Sequence, residues 1–276
     1  MTKKNLRFVV ALEPEASMLI VHYHLELEIL YKNLFKLYAN LEHNIWLVIS
    51  GIGNINSAAA AAYLYGVSPF KEKNIWINIG MGGSATYKVG SIFNIKKINY
   101  KRNNTLKTYY TSALINDYIS AGEVENVDEQ EKKFLKKKSI YEMEAYGFIR
   151  VVEKFCKREQ ICIIKIISDN KKNPPNNFSK EVKGHMRYNL IKITKVIDAY
   201  LKISLNILEV NISIIDKIIK KFHLTFSHRV IIIDLVYKIE KIFSKEELIK
   251  LIDDSENIKS LIKKLQHKIN SHNLKV

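Results

Sequence analysis

Short apolar, β-branched runs alternate along this chain with longer stretches of helical periodicity, an order that predicts an α/β fold. Arg7–Leu12 reads as a strand, and Glu13-Pro14-Glu15-Ala16 starts an apolar helix running to about Leu25. Pro14 suits a first helical turn, where the helix dipole also favours acidic residues. A hairpin is expected through Leu27–Tyr31 and Leu34–Ala39, closed by Asn40, and then a strand, Ile45–Ser50. Ser50-Gly51-Ile52-Gly53-Asn54 follows as a glycine-rich turn into INSAAAAAYLYG, an alanine-rich helix expected to end in a left-handed cap at Gly66. A further strand, Ile75–Ile79, runs into Gly80-Met81-Gly82-Gly83-Ser84, which reads as a second glycine turn. Two strands separated by a helix and both ending in glycines predict a parallel βαβ unit with both turns on one sheet edge.

Further strands are expected at Ser91–Ile98, Thr108–Ser112 and Tyr118–Val124, with a polar turn at Lys101–Asn104; EQEKKFLKKK, from Glu129 to Lys138, reads as a solvated helix face. Ile161–Asn170, ICIIKIISDN, is too short for a typical helix and rich in isoleucine, so it reads as a strand buried on both faces. It ends in Ser168-Asp169-Asn170, ahead of KKNPPNN, a polar stretch placed to form a lid. Ligands of open α/β sheets bind at the strands' C-terminal edge, so Asp169 is either a cap for the next turn or a chemical group. Residues 180–204 read as the last helix of an α/β domain over 1–204, and 205–276 as a helical extension in which Ser244 and Glu247 match a capping box. The predicted fold is therefore a mixed, mostly parallel central sheet flanked by helices, with a C-terminal helical extension.

Composition narrows the function classes. At 276 residues and 47% hydrophobic content the chain can bury a full core. Its N-terminus meets Glu13 and Glu15 too early for a secretory signal, and no apolar run approaches the roughly 20 residues of a membrane span. Two cysteines, Cys156 and Cys162, exclude a disulfide framework and suggest reduced thiols in the cytoplasm. The net charge of +16 leans toward the C-terminal part: residues 171–276 hold 21 of the 44 basic side chains but only 11 of the 28 acidic ones. These lysines lie among isoleucines and asparagines without aromatic interleaving or arginine clusters, which argues against a nucleic-acid surface. His223 and His228 lack the spacing and carboxylate company of a metal pair, so no metal or other cofactor is expected.

The chemistry concentrates in a few places. A glycine turn opening a helix lets backbone N–H groups approach an anion or polarised oxygen, here through Gly51, Gly53, Gly80, Met81 and Gly82, although the spacing is neither a dinucleotide fingerprint nor a Walker loop. In Tyr141-Glu142-Met143-Glu144-Ala145-Tyr146-Gly147, a helical period aligns Glu144 with Phe148, Val152 and Phe155, while Glu142 need not share that apolar stripe. A carboxylate on an apolar face needs a partner, which is either a structural Lys or Arg or a pair of ligand hydroxyls.

Taken together, AxxxEA at Ala11–Ala16, SGIGNxxxAAA at Ser50–Ala60, IGxGG at Ile79–Gly83 followed by Gly90, YEMEA at Tyr141–Ala145 and IISD at Ile166–Asp169 resemble the nucleoside phosphorylase and nucleosidase superfamily over roughly residues 6–200. The nearest branch resembles methylthioadenosine/S-adenosylhomocysteine nucleosidase. The resemblance implies hydrolysis of the N-glycosidic bond of a purine nucleoside or 5′-modified adenosine, as in purine salvage, by a cytoplasmic homo-oligomer, with a dimer favoured. It implies Glu15 as the general base on a water, Met143 and Glu144 as ribose ligands, and Asp169 with Ser168 as the acid at N7 of the leaving purine. Asp169 must be protonated to act, which partial burial at a strand end favours.

The chain departs from that pattern in two places. Met81 stands where a small hydroxyl residue is common, and Ser120–Asn126, the segment expected to form the base wall, offers Val124 and Glu125 without an aromatic ring. No arginine follows either glycine turn, which favours water over phosphate; Lys88 keeps a phosphorolytic alternative open. A different class of function is an impaired nucleoside sensor or scaffold that binds a partner through its basic helical tail.

Overall fold

A computed structural model describes residues 4–29, 34–69, 74–112, 118–131, 133–172, 178–207, 212–239 and 243–273. The chain divides into two compact units, Met1–Leu205 and Asn206–Val276.

The larger unit is a mixed α/β structure built on ten strands: β1 (Leu6–Val10), β2 (Glu26–Leu27), β3 (Lys36–Asn40), β4 (Ile45–Ile49), β5 (Ile75–Ser84), β6 (Ile92–Arg102), β7 (Thr105–Tyr110), β8 (Ser120–Asn126), β9 (Ile140–Glu142) and β10 (Ile161–Asn170). One side is an open sheet in the order β2, β3, β4, β1, β5. Beyond β5 the sheet closes on itself, because β5 pairs with both β9 and β10, β10 with β6, β6 with β8, and β8 with β9. β4, β1, β5 and β10 run parallel. β4 and β5 are not neighbours, since β1 lies between them, but their C-terminal ends share one edge as the sequence predicts. The helices α1 (Glu13–His22) and α4 (Phe178–Ile207) contribute to one apolar core, and α2 (Asn54–Val67) and α3 (Ala145–Val152) to another.

Several local expectations change. β5 does not stop at Ile79: it continues to Ser84, so Gly80-Met81-Gly82-Gly83 is strand, not turn. Glycine is needed there because other segments of the chain approach closely. A Cβ on Gly82 would lie 2.6 Å from Ile140 Cγ2, and one on Gly83 2.6 Å from the Phe134 ring. Gly66 is not a left-handed cap, since α2 passes through it to Val67 and ends at an extended Ser68. The described part of Glu129–Lys138 is not helical, and Phe134 within it is buried. The proposed hairpin tip near Tyr31 and the lid residues 173–177 lie outside the described residues.

The smaller unit contains α5 (Ile212–Lys221), α6 (Phe226–Ile239), α7 (Lys245–Asp253) and α8 (Ile258–Asn273), packed on a core that includes Ile218, Ile232, Leu248 and Leu261. The capping box at its third helix is present. Ser244 Oγ accepts from the N–H of Glu247 at 3.3 Å, and Glu247 Oε2 accepts from the N–H of Ser244 at 2.9 Å. Among the described residues, no helix is long and apolar enough to cross a membrane.

Candidate active site

A cavity of about 400 Å³ opens at the C-terminal edge of the parallel strands. Glu15, Met81, Gly82, Met143, Glu144, Ser168 and Asp169 all line it, so residues up to 154 positions apart in sequence converge on one space. Ala11, Leu12 and Ile52 add to the wall from the β1 and β4 ends.

Glu15 is fixed twice. Near the start of α1, its Oε2 reaches back to accept from the N–H of Leu12 at 2.9 Å, and its Oε1 accepts from the N–H of Met81 at 2.9 Å. Met81 thus contributes its backbone, which the lost hydroxyl does not affect. Glu15 is 3% exposed, and burial together with the charge of Glu144 raises its pKa to about 7. The cation Lys165 and the two N–H bonds hold it from rising further.

Lys165 escaped the sequence reading because it sits inside an isoleucine run. On β10 it pairs with Gly80 of β5, is 0% exposed, and places its Nζ 2.7 Å from Glu142 Oε2 and 3.6 Å from Glu144 Oε2. A Cβ on Gly80 would be 3.0 Å from Glu15 Oε1 and 3.6 Å from Lys165 Nζ, so a glycine here lets carboxylate and cation share one spot on the strand. Burial opposes the ammonium, but Glu142, Glu144 and Glu15 outweigh it and raise the Lys165 pKa.

Glu142 is buried as well. Its Oε2 also accepts from the N–H groups of Glu144 and Ala145, at 3.0 and 2.9 Å, and its Oε1 accepts from Asn126 Nδ2 at 2.5 Å. It therefore satisfies the start of α3 while pairing Lys165. Glu144 is buried, and burial with the charge of Glu142 raises its pKa against the pull of Lys165. Its Oε1 accepts from the N–H of Gly53 at 3.1 Å. The N–H that the glycine turn was expected to offer an anion is therefore directed at this carboxylate. Gly51 and Gly53 have φ of +81° and +103°, a region glycine enters without strain, and the turn they make brings the start of α2 against Glu144.

At the other end of the cavity β10 breaks register between Ile167 and Asp169, a bulge that leaves Ser168 outside the ladder. Ser168 Oγ donates to Asp169 Oδ1 at 2.5 Å. A Cβ on Gly83 would lie 3.0 Å from Asp169 Oδ2.

Val124 does not line the cavity. On β8 it faces the core, pairs with Ile98 and Ile140, and is fully buried. The aromatic wall comes from elsewhere: Phe134 and Tyr141 line the cavity, their rings edge to face at 5.5 Å and 62°. Phe134 was hidden within a lysine-rich run, and nothing in the local pattern distinguishes it. Gly51, Gly53 and Gly80 are not among the lining residues; the N–H of Gly53 is bonded to Glu144, and Gly80 lies beside Glu15. Among the described residues lining the cavity there is no Lys or Arg, and Lys88 is not one of them. Among the described residues, no three His, Cys, Asp or Glu side chains gather to hold a metal ion.

Neither a family model nor a curated protein sequence matches the chain. Solved structures match in fold. The 5′-methylthioadenosine/S-adenosylhomocysteine nucleosidase of Campylobacter jejuni aligns with a TM-score of 0.55 over 71% of this chain and 98% of its own, at 15% identity. The 5′-methylthioadenosine nucleosidase of Arabidopsis thaliana gives 0.59 over 72% and 97%, also at 15% identity. A futalosine hydrolase mutant of Helicobacter pylori gives 0.54 over 72% and 100%, again at 15%. With its parallel strands ending at one carboxylate-lined cavity, the chain has the α/β fold of the 5′-methylthioadenosine/S-adenosylhomocysteine nucleosidases.

Proposed function

We propose that this cavity hydrolyses the N-glycosidic bond of a purine nucleoside or 5′-modified adenosine. The observation that carries the reading is the placement of two carboxylates against β5: Glu15 beside Gly80 and Asp169 beside Gly83. Three residues of extended strand separate those glycines by about 10 Å, room for a ribose C1′ and the attached base between the two groups. Glu15, with a pKa of about 7, takes a proton from water as the water oxygen bonds to C1′. The C1′–N9 bond breaks, its electron pair passes to the base, and Asp169, oriented by Ser168, delivers a proton to N7. Glu144, beside Met143, accepts from the ribose hydroxyls. The negative lining favours the oxocarbenium character that develops on the sugar.

The carboxylate lining also supports water over phosphate. A phosphate dianion needs cationic donors; among the described residues none of the lining side chains is Lys or Arg, and Lys165, which reaches the lining residues Glu142 and Glu144, is already engaged with them. The assay is release of free base from adenosine, inosine, methylthioadenosine and S-adenosylhomocysteine, with and without phosphate. Phosphate-independent release, lost in Glu15→Gln and Asp169→Asn, is the expected result. Release that requires phosphate would make the protein a phosphorylase. Binding without release from any nucleoside would favour a sensor or scaffold.

A further inference from the structure

Glu142 and Glu144, the two acids that Lys165 reaches, are also held from their other sides, and both of those contacts lead to one residue that does not line the cavity. Asn54 is the first residue of α2, directly after Gly53, whose N–H is bonded to Glu144 Oε1 at 3.1 Å. The side-chain Oδ1 of Asn54 accepts from the N–H of Gly147 on α3 at 3.0 Å. Its Nδ2 donates to Asn126 Oδ1 at 2.7 Å and to Asp128 Oδ1 at 3.2 Å. Asn126, 4% exposed at the end of β8, donates in turn from Nδ2 to Glu142 Oε1 at 2.5 Å. The start of α2 also meets α3 backbone to backbone, since a Cβ on Gly147 would lie 1.9 Å from Asn54 O.

The ends of this chain of amides fix its direction. A peptide N–H only donates, and an ionised carboxylate only accepts. Asn54 must therefore turn its oxygen to Gly147 and its NH2 to Asp128, which Tyr100 holds by donating its hydroxyl to Asp128 Oδ1 and Oδ2 at 3.2 and 3.1 Å. The second N–H of Asn54 is left for Asn126, so Asn126 presents its oxygen to Asn54 and its NH2 to Glu142. With the Asn126 amide reversed, two acceptors would meet across that 2.5 Å contact. The carboxylate displaced would be the one that pairs Lys165 and accepts from the N–H groups of Glu144 and Ala145.

Resting on the nucleosidase reading, we infer that Asn54 is a positioning residue for the hydrolysis: by fixing the direction of the Asn126 amide and the place of the Gly53 N–H, it sets where Glu142 and Glu144 stand. Asn54 touches no reacting atom. Its effect reaches the sugar through Glu144, directly from Gly53 and indirectly through Asn126, Glu142 and the start of α3. A displacement of about 1 Å at such a group is enough to cost a large factor in rate.

Asn54→Asp tests the direction alone, because it keeps the side chain's size and the acceptor for Gly147 but removes the donor that Asn126 needs. Measured on folded full-length protein, with folding checked by urea unfolding, kcat/KM for base release should fall at least about 10-fold, and affinity for adenosine or inosine should fall with it. Adding Asp128→Asn returns a donor to position 128 and should restore much of the lost stability. Asn126 then donates to the carboxylate at position 54 and still turns its oxygen on Glu142, so kcat/KM should stay low. Asn54→Ala, which offers Asn126 neither donor nor acceptor, should lose only several-fold, and it replaces Asn54→Asp as the test if that variant does not fold. An unchanged kcat/KM in the variant tested, or activity that returns with stability in the double variant, would overturn the inference and leave Asn54 as a tie between α2, α3 and β8. Failure of the nucleosidase reading shows separately, as an unaltered protein that binds adenosine or inosine but releases no base; the same variants then test the inference through that affinity. An unaltered protein that binds neither nucleoside would overturn both.

Discussion

Among the described residues two cations are fully buried, and they are treated in opposite ways. Arg7 on β1 and Lys165 on β10 are both 0% exposed. Arg7 sits level with Trp76 of β5, and Lys165 four residues further along, level with Gly80. Around Arg7, neutral acceptors are supplied from several directions: Ser68 Oγ at 2.8 Å, Asn44 O at 2.8 Å, Asn44 Oδ1 at 2.9 Å, Leu6 O at 2.9 Å and Pro69 O at 2.6 Å. Among the described residues no carboxylate pairs with it, and burial lowers its pKa to about 9. Lys165 faces three carboxylates instead, and its pKa rises. The guanidinium is a tie between β1, the turn before β4 and the end of α2, satisfied by dipoles that do not titrate. The ammonium is outnumbered by acids, and the protonation of Glu15 and Glu144 depends on it. Burial alone does not mark a functional charge; an excess of titratable partners does.

The comparison breaks most visibly if Lys165 is removed. Lys165→Met leaves Glu15, Glu142 and Glu144 together without their cation, and breaking a buried pair costs about 3–5 kcal/mol. Glu15 loses the charge that restrains its pKa, so the acid limb of base release should move to higher pH. Each pKa unit removes about tenfold of the ionised base at a pH below it. A fall of about 100-fold in kcat/KM at pH 7, partly recovered at higher pH, is expected. Activity unchanged at pH 7 would show that Lys165 is only structural.

Arg7→Met should do the reverse. Its carbonyl and hydroxyl partners are left buried and unpaired, destabilising the fold by about 3 kcal/mol in urea unfolding, yet the pH profile of base release should keep its shape. Arg7→Lys should recover only part of that stability, since an ammonium cannot reproduce the fork.

In the unaltered protein, kcat/KM should rise as Glu15 ionises and level off above about pH 7, and Glu15→Gln should abolish that limb. Because the folded-state pKa of Glu15 exceeds its ordinary 4.5, the folded state holds this proton more tightly than the unfolded chain. Its contribution to stability is fully present below pH 4.5 and is lost as pH rises through 7. The smallest effect belongs to Asn126→Ala, which removes one hydrogen bond to Glu142 and should cost about 1–2 kcal/mol with a modest shift of the same limb.

Much of this was legible in the sequence, and for a common reason. Period-two and period-3.6 patterns are local, so the strands at Arg7, Ile45 and Ile161, the alanine-rich helix and the helical tail could be read in place. Glu15 and Asp169 stood out as carboxylates that interrupt or end apolar runs. Glu144 shared a stripe with Phe148 and Val152, and a buried stripe cannot carry a charge without a partner. Which partner it has was not legible: Lys165 is 21 residues away in sequence and reaches Glu142 and Glu144 only because β10 packs beside β5. Val124 and Phe134 were misjudged for the same reason, since the side a residue faces there depends on how β8, β9 and β5 close the sheet.

By itself, then, the sequence determined the order and type of the elements, the edge at which they end and three of the acids placed there, because backbone preference and hydrophobic period act over a few neighbouring residues. Tertiary structure alone decided that Gly80–Ser84 is strand, that a buried lysine stands among the acids, and that the aromatic wall comes from a lysine-rich connection. Those outcomes depend on pairing and close approach between segments tens of residues apart, which local pattern does not encode.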